Sequence, residues 1–336
     1  MLPDFSTDIS KAIQDVMDGG PLAPETAAAW LEVGDLAEVS QLLAAAGRLR
    51  GAHEGDVVEF CAIVNARSGH CSENCAFCAQ SAHHNGPAEV YPLMSAGEMV
   101  RRGRAAAEAG AQRFGIVTSG RECPKGEALD EICRAVEVLT SEKVIAPCAS
   151  LGLIDESRAR RLADAGLVRY HHNLEAGPSF FPRICTTHNY QDRVETVKAA
   201  QAVGLEVCVG GIVGLGETPL ERVELATAVA ELAPESIPLN FLTPIPGTPM
   251  AGHTPLKPLE ALATVAVFKL FNPKAVVRTC GGRQQVLGDL APLMYLAGAG
   301  GTMIGNYLTT EGRQPADDIN DLAALGLRPA TKLMSE

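Results

Sequence analysis

The 336-residue chain carries no excess of basic charge: 28 Lys and Arg against 40 Asp and Glu leave a net charge of −12. That balance argues against a protein that coats nucleic acid. No apolar run reaches the roughly twenty residues that a bilayer crossing needs. The start, Met1-Leu2-Pro3-Asp4-Phe5, has no basic stretch followed by an apolar one. A soluble, cytoplasmic protein is therefore expected, with no nucleic-acid and no membrane partner. No low-complexity linker separates two halves. The chain does hold ten cysteines: Cys61, Cys71, Cys75, Cys78, Cys123, Cys133, Cys148, Cys185, Cys208 and Cys280. Without an export signal, such residues are read as metal ligands or catalytic groups before disulfides.

Apolar residues at helical spacing predict three helices near the start, over 6–17, 24–33 and 36–46. They are read as an N-terminal helical cap over residues 1–50. Short apolar runs then alternate with amphipathic stretches. Strands are predicted at 58–65, 113–118, 144–149, 169–173, 206–212, 236–241, 275–280 and 301–304. Helices are predicted at 96–109, 128–139, 156–165, 190–203, 219–232, 259–271 and 284–297. Strands alternating with helices indicate a parallel sheet. Eight such units fit an α/β fold of the (β/α)8 TIM-barrel type over 51–325, with a tail at 326–336. A doubly wound open sheet is the alternative.

The densest chemical signal is Cys71-Ser72-Glu73-Asn74-Cys75-Ala76-Phe77-Cys78, three cysteines spaced C-x3-C-x2-C just after the first predicted strand. In a barrel that loop opens on the face where active sites are built. Soft thiolates suit zinc or an iron–sulfur cluster. A structural zinc site usually takes two separated pairs of ligands. Here a single tight triplet stands without a partner pair, and adjacent His70 would strain a tetrahedral site. Three cysteines on a four-iron, four-sulfur (4Fe-4S) cluster leave one iron open to a reactive ligand.

The triplet, with an aromatic residue before its last cysteine, resembles the signature of radical S-adenosylmethionine (SAM) enzymes. Within them the chain is similar to the biotin synthase family. The likeness rests on Asn65-Ala66-Arg67-Ser68-Gly69 before the triplet and Ala79-Gln80-Ser81-Ala82 after it. It continues in Tyr170-His171-His172-Asn173-Leu174-Glu175 and in the glycine-rich segment from Val207 to Thr218. Ile237 to Leu242, Arg278 with Gly281-Gly282-Arg283, and Tyr307-Leu308-Thr309-Thr310 complete it. The family implies sulfur insertion into dethiobiotin by a 5′-deoxyadenosyl radical, with sulfur from an auxiliary iron–sulfur cluster. By resemblance Cys71, Cys75 and Cys78 hold the 4Fe-4S cluster, and Asn173 lies between SAM and dethiobiotin. Glu175, two residues on and in the same direction along a strand, takes the SAM ribose, Arg193 the SAM carboxylate, and Ile212 with the backbone near Phe77 the adenine. Asn240, Thr309 and Thr310 lie near the dethiobiotin ureido ring and carboxylate. The glycines from Gly210 to Gly216 are read as allowing the backbone close to the adenosine. A flavodoxin or ferredoxin as electron donor, an iron–sulfur assembly or sulfur-donor system, and a homodimer are also implied.

One departure matters. The best-known branch of the family holds its auxiliary cluster with three strand cysteines and an arginine. Cys148, Cys208 and Arg278 match three of these positions, but the remaining one falls at Gly115, which cannot ligate iron. Cys280, two residues after Arg278, is expected to point inward with it. The expected auxiliary set is Cys148, Cys208 and Cys280, with Cys185 as a further candidate and Arg278 as an alternative. Four thiolates fit a four-iron cluster with an added sulfide better than a two-iron cluster. Cys61, Cys123 and Cys133 are read as packing residues, and His83 and His84 as solvated. Competing readings are another radical SAM barrel, such as a hydrogenase maturase or a mutase, and a non-enzymatic iron–sulfur sensor or carrier.

Overall fold

The computed structural model describes residues 5–32 and 34–331. Its core is a closed parallel barrel. The strands are β1 (Val57–Arg67), β2 (Arg113–Thr118), β3 (Ala146–Ser150), β4 (Arg169–His171), β5 (Glu206–Cys208), β6 (Gly211–Val213), β7 (Ser236–Phe241), β8 (Val276–Thr279), β9 (Gly301–Met303) and β10 (Arg328–Pro329). They follow one another around the ring, and β1 pairs with β9 to close it. β5 and β6 form a single stave and β10 only extends the foot of β1, so the wall has eight staves. The barrel prevails over the open sheet.

The predicted strand over 206–212 is interrupted at Val209-Gly210. The cause is close packing between strands. A Cβ on Gly210 would stand 2.0 Å from the carbonyl oxygen of Pro238, and one on Gly211 2.5 Å from that of Glu175. Gly210 and Gly211 thus admit neighbouring protein backbone, where the sequence reading gave them to the adenosine. The predicted helix over 284–297 also breaks, into Arg283–Leu287 and Leu293–Leu296. Gly288, at φ +51°, and Pro292 lie between the pieces, and neither supports an α-helical interior.

The helices α1 (Phe5–Met17), α2 (Pro24–Glu32) and α3 (Leu36–Glu54) form the cap. Asp35 starts α3 by accepting from the amides of Ala37 and Glu38, as a helix N-cap does. α3 runs eight residues beyond the predicted end at 46. The cap is not a free-standing unit. The barrel helix Pro258–Phe271 is buried on every side from Ala261 to Leu270. Its Leu262, Val265 and Phe268 face the barrel core, whereas Ala263, Ala266, Val267 and Leu270 pack with Trp30, Leu42 and Leu49 of the cap. A helix apolar all round requires cover on both faces, and the cap supplies the second. Residues 332–336 of the predicted tail lie outside the described residues.

Candidate active site

The loop after β1 carries Cys71, Cys75 and Cys78. Its shape is fixed by backbone bonds from Cys71 N to Gln80 O (3.0 Å) and from Ala82 N to Cys71 O (2.8 Å). Buried Gln80 ties it to β1: its Oε1 accepts from Asn65 Nδ2 (3.2 Å), Ser68 Oγ (3.1 Å) and Gly69 N (3.3 Å). His83 and His84 are not merely solvated. Their Nε2 atoms bond the carbonyls of Ser72 and Cys75, each at 3.0 Å, and brace the loop. Burial pushes the Cys78 thiol up to about 11. A positive metal centre would be needed to hold it as thiolate.

Below the loop a cavity of about 310 Å3 runs into the barrel. Phe77, Cys78, Asn173, Glu175, Ile212, Asn240, Thr309 and Thr310 line its upper part, so one chamber unites these sequence-predicted residues. Asn173 and Glu175 do not continue β4 as expected, because β4 ends at His171 and Glu175 is left-handed at φ +71°. Such a conformation is unfavourable for a residue with a Cβ and recurs at functional sites. The turn still brings the side chains together, with Asn173 Nδ2 donating to Glu175 Oε2 at 3.2 Å. Arg193 reaches the same turn from the helix Tyr190–Ala202, donating through Nη1 to Asn173 O at 2.8 Å. Asn240 is held by Gly281 N (2.9 Å to Oδ1) and by Gly211 O (3.3 Å from Nδ2). Thr309 and Thr310 sit in the loop after β9.

Deeper in the same cavity the wall carries Cys61, Cys148, Cys208 and Cys280 with His171 and Arg278. Cys61 was expected to be packing. It lines the cavity instead, together with Cys280. The sequence signal was available in Glu59, whose charge marks the inward phase of β1 and places Cys61, two residues on, on the same face. Gly115 pairs with Ile63 across β1 and β2, and a Cβ there would meet Ile63 Cγ2 at 3.1 Å. Ile63 thus lies against the position where the resemblance expects a thiol, and Cys61 presents one to the cavity from the neighbouring strand.

Cys185 does not join this group. Its Sγ lies 3.8 Å from Cys75 Sγ, beside His188 Nδ1 at 3.3 Å, and neither Cys185 nor Cys75 lines the cavity. Its assignment to the auxiliary set is thereby corrected: the loop after β4 carries it to the triplet instead. The hydrogen bond with Cys75 lowers Cys185 to about 3 and raises Cys75, whose burial acts in the same direction. Cys123 and Cys133 are buried in the core outside the cavity, as expected of packing residues.

The foot of the barrel is a buried ion network. Glu59 meets Arg278 at 2.8 Å, Arg113 at 3.4 Å and Arg169 at 4.0 Å. Glu206 meets Arg169 at 2.8 Å and Arg113 at 3.2 Å. Three arginines against two glutamates leave one positive charge beneath the thiols. Burial opposes ionisation of Cys208, but His171, Arg278 and Arg169 outweigh it and bring the thiol down to about 7. Arg278 donates Nε to Ser236 Oγ (2.7 Å) and Nη2 to Glu59. Two of its three guanidinium nitrogens are thus engaged as a counter-charge, and among the described residues Nη1 makes no hydrogen bond to protein.

A thiolate triplet on a barrel's first loop, above a chamber lined with polar groups, defines a radical SAM barrel. Comparison with known proteins agrees: residues 66–229 match the radical SAM superfamily, and residues 238–328 match the Biotin and Thiamin Synthesis associated domain. Among solved structures, methylornithine synthase superposes with a TM-score of 0.83 at 18% identity, covering 96% of this chain and 98% of that one. An FeFe-hydrogenase maturase from Carboxydothermus hydrogenoformans gives 0.80 at 18%, covering 97% and 80%. At such identity these show the fold alone. The sequence decides among the enzymes that share it. A biotin synthase of Geobacter sulfurreducens is 54% identical over 86% of this chain and 88% of its own length. One of Syntrophotalea carbinolica is 47% identical over 95% and 98%. The chain belongs to the biotin synthase family.

Proposed function

We propose that the chain converts dethiobiotin to biotin by radical sulfur insertion. The observation that carries this reading is a single cavity joining Cys78, Phe77, Asn173 and Asn240 at the top to four inward thiols below. The donor set at the top, three soft thiolates on one braced loop, fits a 4Fe-4S cluster. With SAM bound, that cluster supplies a 5′-deoxyadenosyl radical able to take hydrogen from a saturated carbon. The chain's own residues position the reactants. Arg193 offers a guanidinium to the SAM carboxylate, Glu175 a carboxylate to the ribose, and Ile212 with Phe77 an apolar slot for adenine. Asn240, Thr309 and Thr310 present polar groups to dethiobiotin, and Asn173 stands between the two ligands.

The proposed auxiliary cluster is held by Cys148, Cys208, Cys280 and Cys61. Its fit rests on three buried thiols and half-buried Cys61 facing one cavity above three arginines, which suits an anionic thiolate-ligated group. Four thiolates favour a four-iron cluster carrying an added, transferable sulfide over a two-iron one. A flavodoxin or ferredoxin as reductant, an assembly system that restores the sulfur, a homodimer and a cytoplasmic location complete the reading. Among the described residues no helix is long and apolar enough to cross a membrane. The test is anaerobic reconstitution with iron and sulfide, followed by SAM, a strong reductant and dethiobiotin. Biotin and 5′-deoxyadenosine by mass spectrometry are the expected products. 5′-Deoxyadenosine without biotin would overturn the sulfur-insertion reading and leave the radical chemistry.

A further inference from the structure

Glu73, Cys185 and His188 come together from two loops, with their ligand atoms within 4.8 Å of one another. Their types and spacing would suit a divalent cation. The hydrogen bonds around His188 exclude that use. Arg193 Nε donates to His188 Nε2 at 3.0 Å, so Nε2 carries a lone pair. The proton therefore sits on Nδ1, which donates to Glu73 Oε2 at 2.5 Å. A metal on Nδ1 would require the opposite tautomer and would set two donors, Nε2–H and Arg193 Nε–H, against each other.

We infer instead that Glu73 and His188 are positioning residues that aim Arg193 at the carboxylate of SAM, an inference that rests on the function proposed above. Glu73 is fixed by Thr187 Oγ1, which donates to the same Oε2 at 2.7 Å. His188 stands edge-on to Phe181, ring centroids 5.6 Å apart, and the Arg193 guanidinium lies 5.5 Å from the same ring. Two of the three guanidinium nitrogens are thereby committed, Nε to His188 and Nη1 to Asn173 O and, at 3.5 Å, to Glu175 Oε1. Among the described residues Nη2 makes no hydrogen bond to protein, although Arg193 is only 8% exposed. A buried guanidinium held at two corners with the third free is a prepared anion site. The relay begins at Glu73, within the cysteine triplet, so the loop that holds the cluster also orients the group that receives SAM.

Glutamine can accept from Arg193 and donate to Glu73, whereas alanine can do neither. SAM binding is measured directly, by equilibrium dialysis of labelled SAM against anaerobically reconstituted full-length protein, with iron and zinc counted per chain. His188→Ala is expected to weaken SAM binding about tenfold, and His188→Gln to stay within about threefold of the parent. Triplet iron and the KM for dethiobiotin are expected unchanged in both. Unchanged SAM affinity in His188→Ala overturns the relay. So does loss of triplet iron in both variants, which would make His188 a fold residue. One zinc per parent chain that is absent from His188→Ala also overturns it in favour of the metal site. A parent that binds no SAM removes the functional reading and the relay with it. A parent that binds SAM no better than His188→Ala removes the relay alone.

Discussion

The mouth and the floor of the barrel both gather thiols, but they do so by different physics. At the mouth, Cys71, Cys75 and Cys78 are neighbours in sequence, on a loop braced by Gln80, His83 and His84. At the floor, Cys61, Cys148, Cys208 and Cys280 arrive from four strands and meet only through barrel closure. The mouth depends on local turns and the floor on register. A local ligand set survives changes in the wall. A register-built set can take a thiol from one strand or from the next, and on the proposed ligand set Cys61 of β1 stands in for the thiol that Gly115 of β2 lacks.

The largest expected effect separates the two regions outright. Cys75→Ala should abolish both 5′-deoxyadenosine and biotin formation, while the iron assigned to the floor remains. Iron counting and product analysis on one reconstituted sample check this. Loss of all iron would mean that the two sites do not load independently. Next in size, Cys61→Ser should end biotin formation, lower iron per chain and leave 5′-deoxyadenosine formation intact. Cys133→Ser, in the core outside the cavity, is the control for a thiol that only packs. Parent-like iron and biotin in Cys61→Ser would return Cys61 to the role that sequence alone assigned.

These two regions were also unequally legible. The triplet could be read at once, because its spacing is its geometry. The barrel could be read from alternating strands and helices, and the resemblance carried Cys148, Cys208 and Arg278 to the interior. Cys61 was missed because parallel barrel strands are buried on both faces, so β1 reads as a nearly continuous apolar run in which Glu59 alone marks the inward phase. Cys185 was misplaced for the opposite reason. A long loop after β4 can deliver its side chain to several points of the mouth, and only tertiary contact chooses Cys75. Glu175 was expected to extend a strand, and its left-handed backbone has no marker in its residue type.

The ion network tests how far the floor depends on charge. Glu59→Gln leaves Arg278 and Arg113 without their shared carboxylate, a change of about 3–5 kcal/mol when a buried pair is broken. Burial opposes ionisation of Glu59, but Arg278, Arg113 and Arg169 outweigh it and hold the carboxyl below its ordinary value of 4.5. Its contribution to stability is therefore full above pH 4.5 and is lost as pH falls through the lower, folded-state value. Urea midpoints of the metal-free protein should differ between parent and variant at neutral pH and converge on acidification. A pH-independent gap would assign the effect to packing.

The smallest effect sharpens the comparison most. Gly115→Cys restores a thiol to β2, and a reading by residue type alone would expect a better cluster. The structure predicts otherwise, because the new Cβ meets Ile63 Cγ2 at 3.1 Å and that side chain must give way by a few tenths of an ångström. Overpacking of this kind typically destabilises by about 1–3 kcal/mol. Iron per chain should not rise, since the proposed ligand set already takes its thiol from Cys61 of β1. The double variant Gly115→Cys with Cys61→Ser asks whether the ligand can move back across the strand pair. Ile63 still fills the space, so biotin formation should stay lost. Adding Ile63→Ala, which vacates it, should recover part of the iron and of the product. Recovery without that third change would mean that Ile63 does not bar the way and that the thiol's place on the wall is set by something other than packing.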